Sequence, residues 1–294
     1  MGSIDASQNG KGVHSWRLHQ HLEEQVYGFR ADQGLVTVSC ERSPAKKTAN
    51  EDSTLVMQLP GRAILLAVAD GVGGLRGGEL ASQIALATLE QTVRGMTSEQ
   101  SLRTAVVDGI ELANRKILES QIAGASTIVV VTIEGQHVRT FHVGDSMALQ
   151  ISNRGRIKYV TVAHSPVGMA VEAGLLEESA AMHHEQRHLV NNIVGSESMR
   201  IEIGSTLELS ARDTLVLASD GLYDNLLPDQ IAALVRKGNL ATAHRQLLAA
   251  VRERMSDPYG TLPSKADDLS VICYRSFGGK SFPRLQEITE RLEG

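Results

Sequence analysis

Aromatic side chains are scarce, with Phe, Trp and Tyr together making up 3% of 294 residues. The core must therefore be built from Ala, Val, Ile and Leu, because hydrophobic residues still reach an ordinary 42%. Cysteine is nearly absent. The two present, Cys40 and Cys273, stand in apolar, strand-like contexts, and no CxxC pair exists. That argues against a structural zinc module and makes buried free thiols the expectation over a disulfide. Long apolar runs are missing too. The longest, Ala63 to Ala69 (AILLAVA), falls far short of the roughly 20 residues that a membrane helix needs. Nor is there an excess of positive charge. A net charge of −5 argues against nucleic-acid binding by bulk phosphate attraction. The polar start carries no apolar signal core. The expectation is a cytoplasmic protein with no membrane or nucleic-acid partner.

What is present is a strand-rich pattern. AILLAVA (63–69), TIVVVTI (127–133), TLVLA (214–218) and LSVICY (269–274) are short apolar or β-branched runs, the signature of strands buried on both faces. Leu35 to Ser39, Val138 to Val143, Ala148 to Ser152 and Ile157 to Val162 are further strands, with Asn153-Arg154-Gly155 as a hairpin connection. The glycines at 71, 73, 74, 77 and 78 predict a loop. A helix should begin near Gly78 or Glu79, and a second after Thr97, where Thr97 and Gln100 have capping-box spacing. One short helix is expected over Gly174 to Met182. Pro228 should open another, and Asn239 should cap a longer one. Short turns between successive strands imply antiparallel pairing, so the class is α+β rather than a doubly wound parallel sheet. Residues 1–12 are expected to be disordered, 13–276 to form one domain, and 277–294 to be a tail with an amphipathic helix through Leu285, Ile288 and Leu292.

Three aspartates fall at comparable boundaries. Asp70 ends AILLAVA, Asp220 follows TLVLAS, and Asp267 precedes LSVICY. Each alone is more often a turn residue, since Asp-Gly is common turn chemistry. Together they suggest carboxylates gathered at one sheet edge, where divalent cations such as Mg2+ or Mn2+ would relieve the mutual repulsion.

With its segments KKTANEDS (46–53), VADGVGGLRGGELAS (68–82), GAST (124–127), FHVGDS (141–146), LASDGLYDN (217–225) and DDLSV (267–271), the chain resembles the metal-dependent serine/threonine protein phosphatases of type 2C, in their bacterial form. The resemblance implies a four-layer α-β-β-α sandwich of two central antiparallel sheets flanked by helices, with two Mn2+ or Mg2+ ions at one edge. It makes Asp70 the ligand that bridges both ions, completes one with the carbonyl of Gly71, and gives the other Asp220 and Asp267. Glu51 and Asp52 match acidic residues that hold water on the ions. Asp145 and Asp224 match positions tied to a third, weaker ion. Water activated by the metal centre would then attack the phosphorus of phosphoserine or phosphothreonine in line with the leaving oxygen. The implied partners are phosphorylated proteins and an opposing serine/threonine kinase, with the chain itself a monomer.

Two positions depart from the family pattern. Lys47 stands where an arginine grips the phosphate, which keeps charge but loses bidentate geometry. Lys46 beside it is a second cation at that place. Val72 stands where many eukaryotic members carry a histidine. Among the histidines, His183 and His184 are expected on the surface and His142 within a strand. The region from about His164 to Ser196 corresponds to a variable flap. Two other functions remain open on sequence: a catalytically silent metal- or phosphoprotein-binding module, and a small-metabolite phosphatase.

Overall fold

The structure is a computed structural model that describes residues 3–8 (backbone only), 12–19, 25–31, 33–72, 77–187, 189–257 and 262–278. The strands begin with β1 (Ser3–Gln8), β2 (His14–His19), β3 (Tyr27–Ala31), β4 (Gly34–Glu41), β5 (Asp52–Gln58) and β6 (Ile64–Val72). Helices α1 (Gly77–Gly95) and α2 (Leu102–Glu119) follow. Next come β7 (Ala125–Ser126), β8 (Ile128–Glu134), β9 (His137–Val143), β10 (Met147–Ile151) and β11 (Ile157–Val160). Short helices α3 (Pro166–Glu172) and α4 (Glu178–Ala181) precede β12 (Glu202–Ile203), β13 (Leu207–Glu208) and β14 (Thr214–Ala218). The chain continues through α5 (Asp220–Tyr223), α6 (Pro228–Val235), α7 (Leu240–Ser256) and β15 (Leu269–Ser276).

Two antiparallel sheets result. The first has the order β1-β2-β5-β6-β8-β9-β12, with β13 on β9 and β7 on β6. The second has the order β11-β10-β14-β15-β4-β3. Side-chain alternation builds three cores from these layers. Leu55, Leu65, Ala67 and Val130 on one face of the first sheet meet Leu86, Leu89, Val106 and Ile110 of α1 and α2. Val56, Leu66, Val68 and Val131 point the other way and meet Val38, Leu217 and Ile272 of the second sheet. The far face of that sheet, with Val216, Val271 and Cys273, meets Ile231, Leu247 and Val251 of α6 and α7. This is the expected α-β-β-α sandwich. Strands buried on both faces explain why AILLAVA and TLVLA are continuous rather than alternating runs.

Several local expectations differ. Ser3–Gln8 pairs along β2 where disorder was predicted, because an edge strand is held by its backbone ladder and needs little apolar pattern. Of the predicted glycine loop, Gly71 belongs to β6 and Gly77 and Gly78 to α1, while Gly73 and Gly74 lie outside the described residues. The cap of α2 is Ser101, whose hydroxyl accepts from the Thr104 amide, and not Thr97. The helix expected over Gly174 to Met182 is shorter, α4 alone, because Gly174 sits at φ +68°; α3 precedes it and was not foreseen. Pro228 and Asn239 open α6 and α7 as expected. Both cysteines are buried and free. Most of the proposed tail helix lies outside the described residues. Among the described residues no helix is long and apolar enough to cross a membrane.

Candidate metal centre

The sheet edge collects carboxylates from both layers. Asp52 opens β5 and stands directly opposite Asp70 of β6 in the antiparallel register. Like charges so placed repel. Asp220 is the first residue of α5, just after β14, and Asp267 and Asp268 precede β15. The close approach of these elements needs glycine. A Cβ on Gly71 would lie 2.1 Å from the Gly78 carbonyl oxygen and 2.8 Å from that of Glu51. A Cβ on Gly221 would lie 2.0 Å from the Asp268 carbonyl oxygen, so only glycine lets α5 abut the Asp267–Asp268 turn.

Burial, and after it mutual repulsion, raises the acids of this edge. Burial, followed by the charges of Asp52, Asp220, Asp267 and Asp145, pushes the Asp70 carboxyl far above the usual range. Asp220 is raised chiefly by burial, against the opposing pull of Lys265. Burial and Asp268 lift Asp52 to about 7, and burial with Asp224 lifts Asp145 to about 6. Each shift describes carboxylates lacking enough positive charge.

Other contacts fix the backbone beneath them. The Thr127 hydroxyl accepts from the Asp70 amide at 3.1 Å, and the Thr127 amide donates to the Asp70 carbonyl at 2.8 Å. Ser219 donates to Asp52 Oδ2 at 2.6 Å, which ties the first sheet to the second. Asp268, fully buried, accepts from the Ser43 amide at 2.7 Å and from the Glu51 amide and Lys46 Nζ at 2.8 Å each. It therefore anchors the loop that presents Glu51. Lys46 also pairs with Glu51 Oε2 at 2.8 Å, and with Asp267 Oδ1 at 3.6 Å, whereas Lys47 is exposed. Burial lowers Lys46, but the hydrogen bonds it donates to Asp268 and Glu51 hold it above the usual lysine range. Lys265 pairs with Asp220, Asp224 and Asp267. Asp268, Ser219 and Lys265 were not foreseen from sequence.

The residues present fit divalent ions. The donors are hard carboxylate and carbonyl oxygens, which suits Mg2+ or Mn2+. Glu51 Oε1, Asp52 Oδ1 and Asp220 Oδ1 are buried and have no hydrogen-bond partner. Unsatisfied buried acceptors are costly, and an ion would satisfy them.

A second cluster, His142, His164 and Glu202, also brings possible ligand atoms within 4.8 Å of one another. Its hydrogen bonds oppose chelation. His164 Nδ1 accepts from the Gly144 amide at 3.1 Å and lies 2.9 Å from the Asn192 amide nitrogen, so its proton sits on Nε2 and faces Glu202 at 3.1 Å. His142, buried in β9, faces the Val162 carbonyl at 2.8 Å and stacks on His164. The pair fastens the start of the flap to the Gly144–Asp145 turn. His183 and His184 are exposed, as expected.

A carboxylate centre at the edge of an α-β-β-α sandwich defines a metal-dependent phosphohydrolase class. The Protein phosphatase 2C family profile matches residues 42–258, and the chain belongs to that family. It is similar to the serine/threonine phosphatase Stp of Listeria monocytogenes, 28% identical over 212 residues, covering 68% of this chain and 79% of that one. The Streptococcus agalactiae serine/threonine phosphatase structure superposes with a TM-score of 0.70 at 26% identity, covering 81% of this chain and 98% of that one. The catalytic domain of the phosphatase PstP, solved with two manganese ions, shares the fold with a TM-score of 0.63 at 22% identity, covering 85% and 99%. Family membership makes the chain a metal-dependent phosphoprotein phosphatase, not a silent binding module.

Proposed function

We propose that this chain hydrolyses phosphoserine and phosphothreonine esters of proteins at the Asp70–Asp220–Asp267 edge, with two Mn2+ or Mg2+ ions. The observation that carries the reading is the set of unpartnered buried oxygens on Glu51, Asp52 and Asp220 inside a like-charged cluster. Asp70 and the Gly71 carbonyl would hold one ion, and Asp70, Asp220 and Asp267 the other. Bound divalent ions supply a Lewis acid that activates water near neutral pH and neutralises charge on the phosphoryl oxygens. The chain's own residues then orient. Ser219 fixes Asp52, while Asp268 and Lys46 fix Glu51, so two acidic groups are poised to hold water. Val72, exposed at the edge, offers no proton, so the leaving oxygen takes its proton from water. Exposed Lys47 is free to meet a phosphate, as Lys46 is already engaged.

The proposed setting is cytoplasmic, with a monomer opposing a serine/threonine kinase. The test is release of phosphate from a chromogenic ester and from phosphopeptides, with and without Mn2+, by wild type and Asp220→Ala. Mn2+-dependent turnover on phosphopeptides, lost in the variant, is expected. No turnover at any Mn2+ concentration would sink the enzyme reading. Turnover confined to small phosphorylated metabolites would replace the protein substrate.

A further inference from the structure

Lys265 is the least expected group at the centre. It lies two residues before Asp267 in a segment, PSKADD, that reads as a solvated turn. Its ammonium instead contacts Asp220 Oδ2, reaches Asp224 Oδ2 at 2.9 Å and Asp267 Oδ2 at 3.2 Å, and is itself largely shielded from solvent. Its backbone is clamped. The Lys265 amide donates to Asn225 Oδ1 at 2.9 Å, and the Asn225 side-chain amide donates to the Lys265 carbonyl at 2.8 Å. Asn225 is fully buried and also donates to the Gly221 carbonyl at 2.9 Å, so the lysine is rooted on the helix that carries Asp220. Next door, the Ser264 hydroxyl donates to the Arg254 carbonyl of α7 at 2.8 Å, and Arg187 of the flap donates to the Ser264 carbonyl at 3.0 Å.

Asp220 divides its oxygens. Oδ2 goes to Lys265, and Oδ1 is buried without a partner. Asp267 does likewise, with Oδ2 toward Lys265 and Oδ1 accepting from the Asp268 amide. Asp224 differs. Its buried Oδ2 has no hydrogen-bond partner and is met by Lys265 as an ion pair. The charge of Lys265 also acts on Asp145, the neighbour of Asp224 in this corner. Mg2+ binds carboxylate oxygen at about 2.0–2.1 Å, so an ion placed on Asp224 Oδ2 would press against the ammonium already there. Two like charges at such range repel strongly in a partly dehydrated site.

We propose that the Lys265 ammonium is a tethered cation that takes the place of a third divalent ion beside Asp224 and Asp145. The chain then works with two ions and one lysine. This rests on the two-ion reading of Asp70, Asp220 and Asp267. A lysine contributes one charge where an ion contributes two, but it is covalently present at every ion concentration, so this corner stays neutralised when metal is scarce.

The test counts ions. Wild type, Lys265→Met and, as a second neutral variant, Lys265→Gln are titrated with Mn2+ by calorimetry, and bound metal is counted by elemental analysis. Circular dichroism checks folding. Two ions are expected in wild type. Three are expected in either neutral variant, the extra one being weaker. Adding Asp224→Asn to Lys265→Met should return the count to two, and Lys265→Arg should retain two. Two ions in wild type and in both neutral variants would overturn the proposal, even with tighter binding, since Lys265 would then only compete for the existing sites. Three ions in wild type would overturn it as well. No bound ion in any of these proteins would overturn both this proposal and the two-ion reading. Mn2+-dependent turnover by wild type, measured alongside, reports on that reading separately.

Discussion

Two buried polar regions of this sandwich are built on opposite rules. On the helix side of the second sheet, His244 of α7 is wholly buried, with Nδ1 2.9 Å from the Thr37 hydroxyl and Nε2 2.9 Å from the Ser39 hydroxyl of β4. Hydroxyls both donate and accept, so either neutral tautomer is satisfied. At the other region, the carboxylate edge, Asp52 faces Asp70 across a strand pair and buried oxygens go unpartnered. Ser219, Lys46 and Lys265 offset part of that charge, yet among the described residues Glu51 Oε1, Asp52 Oδ1 and Asp220 Oδ1 stay without a partner. The contrast separates a polar group satisfied within the fold from polar groups that, on the proposed function, keep oxygens for ions.

The sharpest way to break the contrast is Asp70→Asn. In Mn2+ its turnover should fall about 10²–10³-fold, the usual effect of removing one preorganised electrostatic contact. In chelator the same variant should be more stable than wild type by on the order of 1 kcal/mol, because a repulsive charge is gone. Chromogenic ester kinetics and urea unfolding read the two effects. Loss of stability in chelator would mean that the edge is not frustrated.

His244→Ala should show the reverse pairing. Removing a satisfied, fully buried ring leaves a cavity and two buried hydroxyls without their partner, at a cost of about 2–3 kcal/mol. The turnover of folded protein in Mn2+ should not change. A drop in turnover with unaltered urea midpoint would abolish the distinction between the two regions.

The same contrast decides how much could be read from sequence. β6, β8, β14 and β15 were legible because burial on both faces leaves unbroken apolar runs. β2 and β3 were not: His14, Arg17 and His19 break the pattern of one, and Tyr27-Gly28 opens the other at a sheet edge. Asp70, Asp220 and Asp267 stood out because each adjoins such a run. Asp268 was hidden by being a neighbour of Asp267, although it is the one that ties Ser43 and Glu51 to the second sheet. Lys265 gave no local signal, and Lys46 stood out only as a second cation beside Lys47. A lysine in a polar loop normally reaches water, and only the fold shows that these two reach carboxylates from distant strands.

The most selective expected effect is in pH. Burial lowers His244 from an ordinary 6.5 to about 3. Between those values the unfolded chain binds a proton there and the native chain does not. Stability supplied by neutral His244 is therefore complete above about 6.5 and lost as pH falls toward 3, at up to about 1.4 kcal/mol per pH unit. The edge carboxylates act with the opposite sign. Their native pKa values are raised, so without metal the native chain holds the extra protons and stability falls as pH rises through the same range. His244→Asn leaves the edge untouched. In chelator, urea midpoints from pH 4 to 7 should fall with pH more steeply for the variant than for wild type, by the His244 contribution alone. Saturating Mn2+ should remove most of the carboxylate slope from both proteins and leave wild type gaining stability toward pH 6.5, with the variant nearly flat. Parallel curves for the two proteins in both conditions would mean that His244 titrates equally in the folded and unfolded chain, and that its two hydroxyl partners do not keep it neutral.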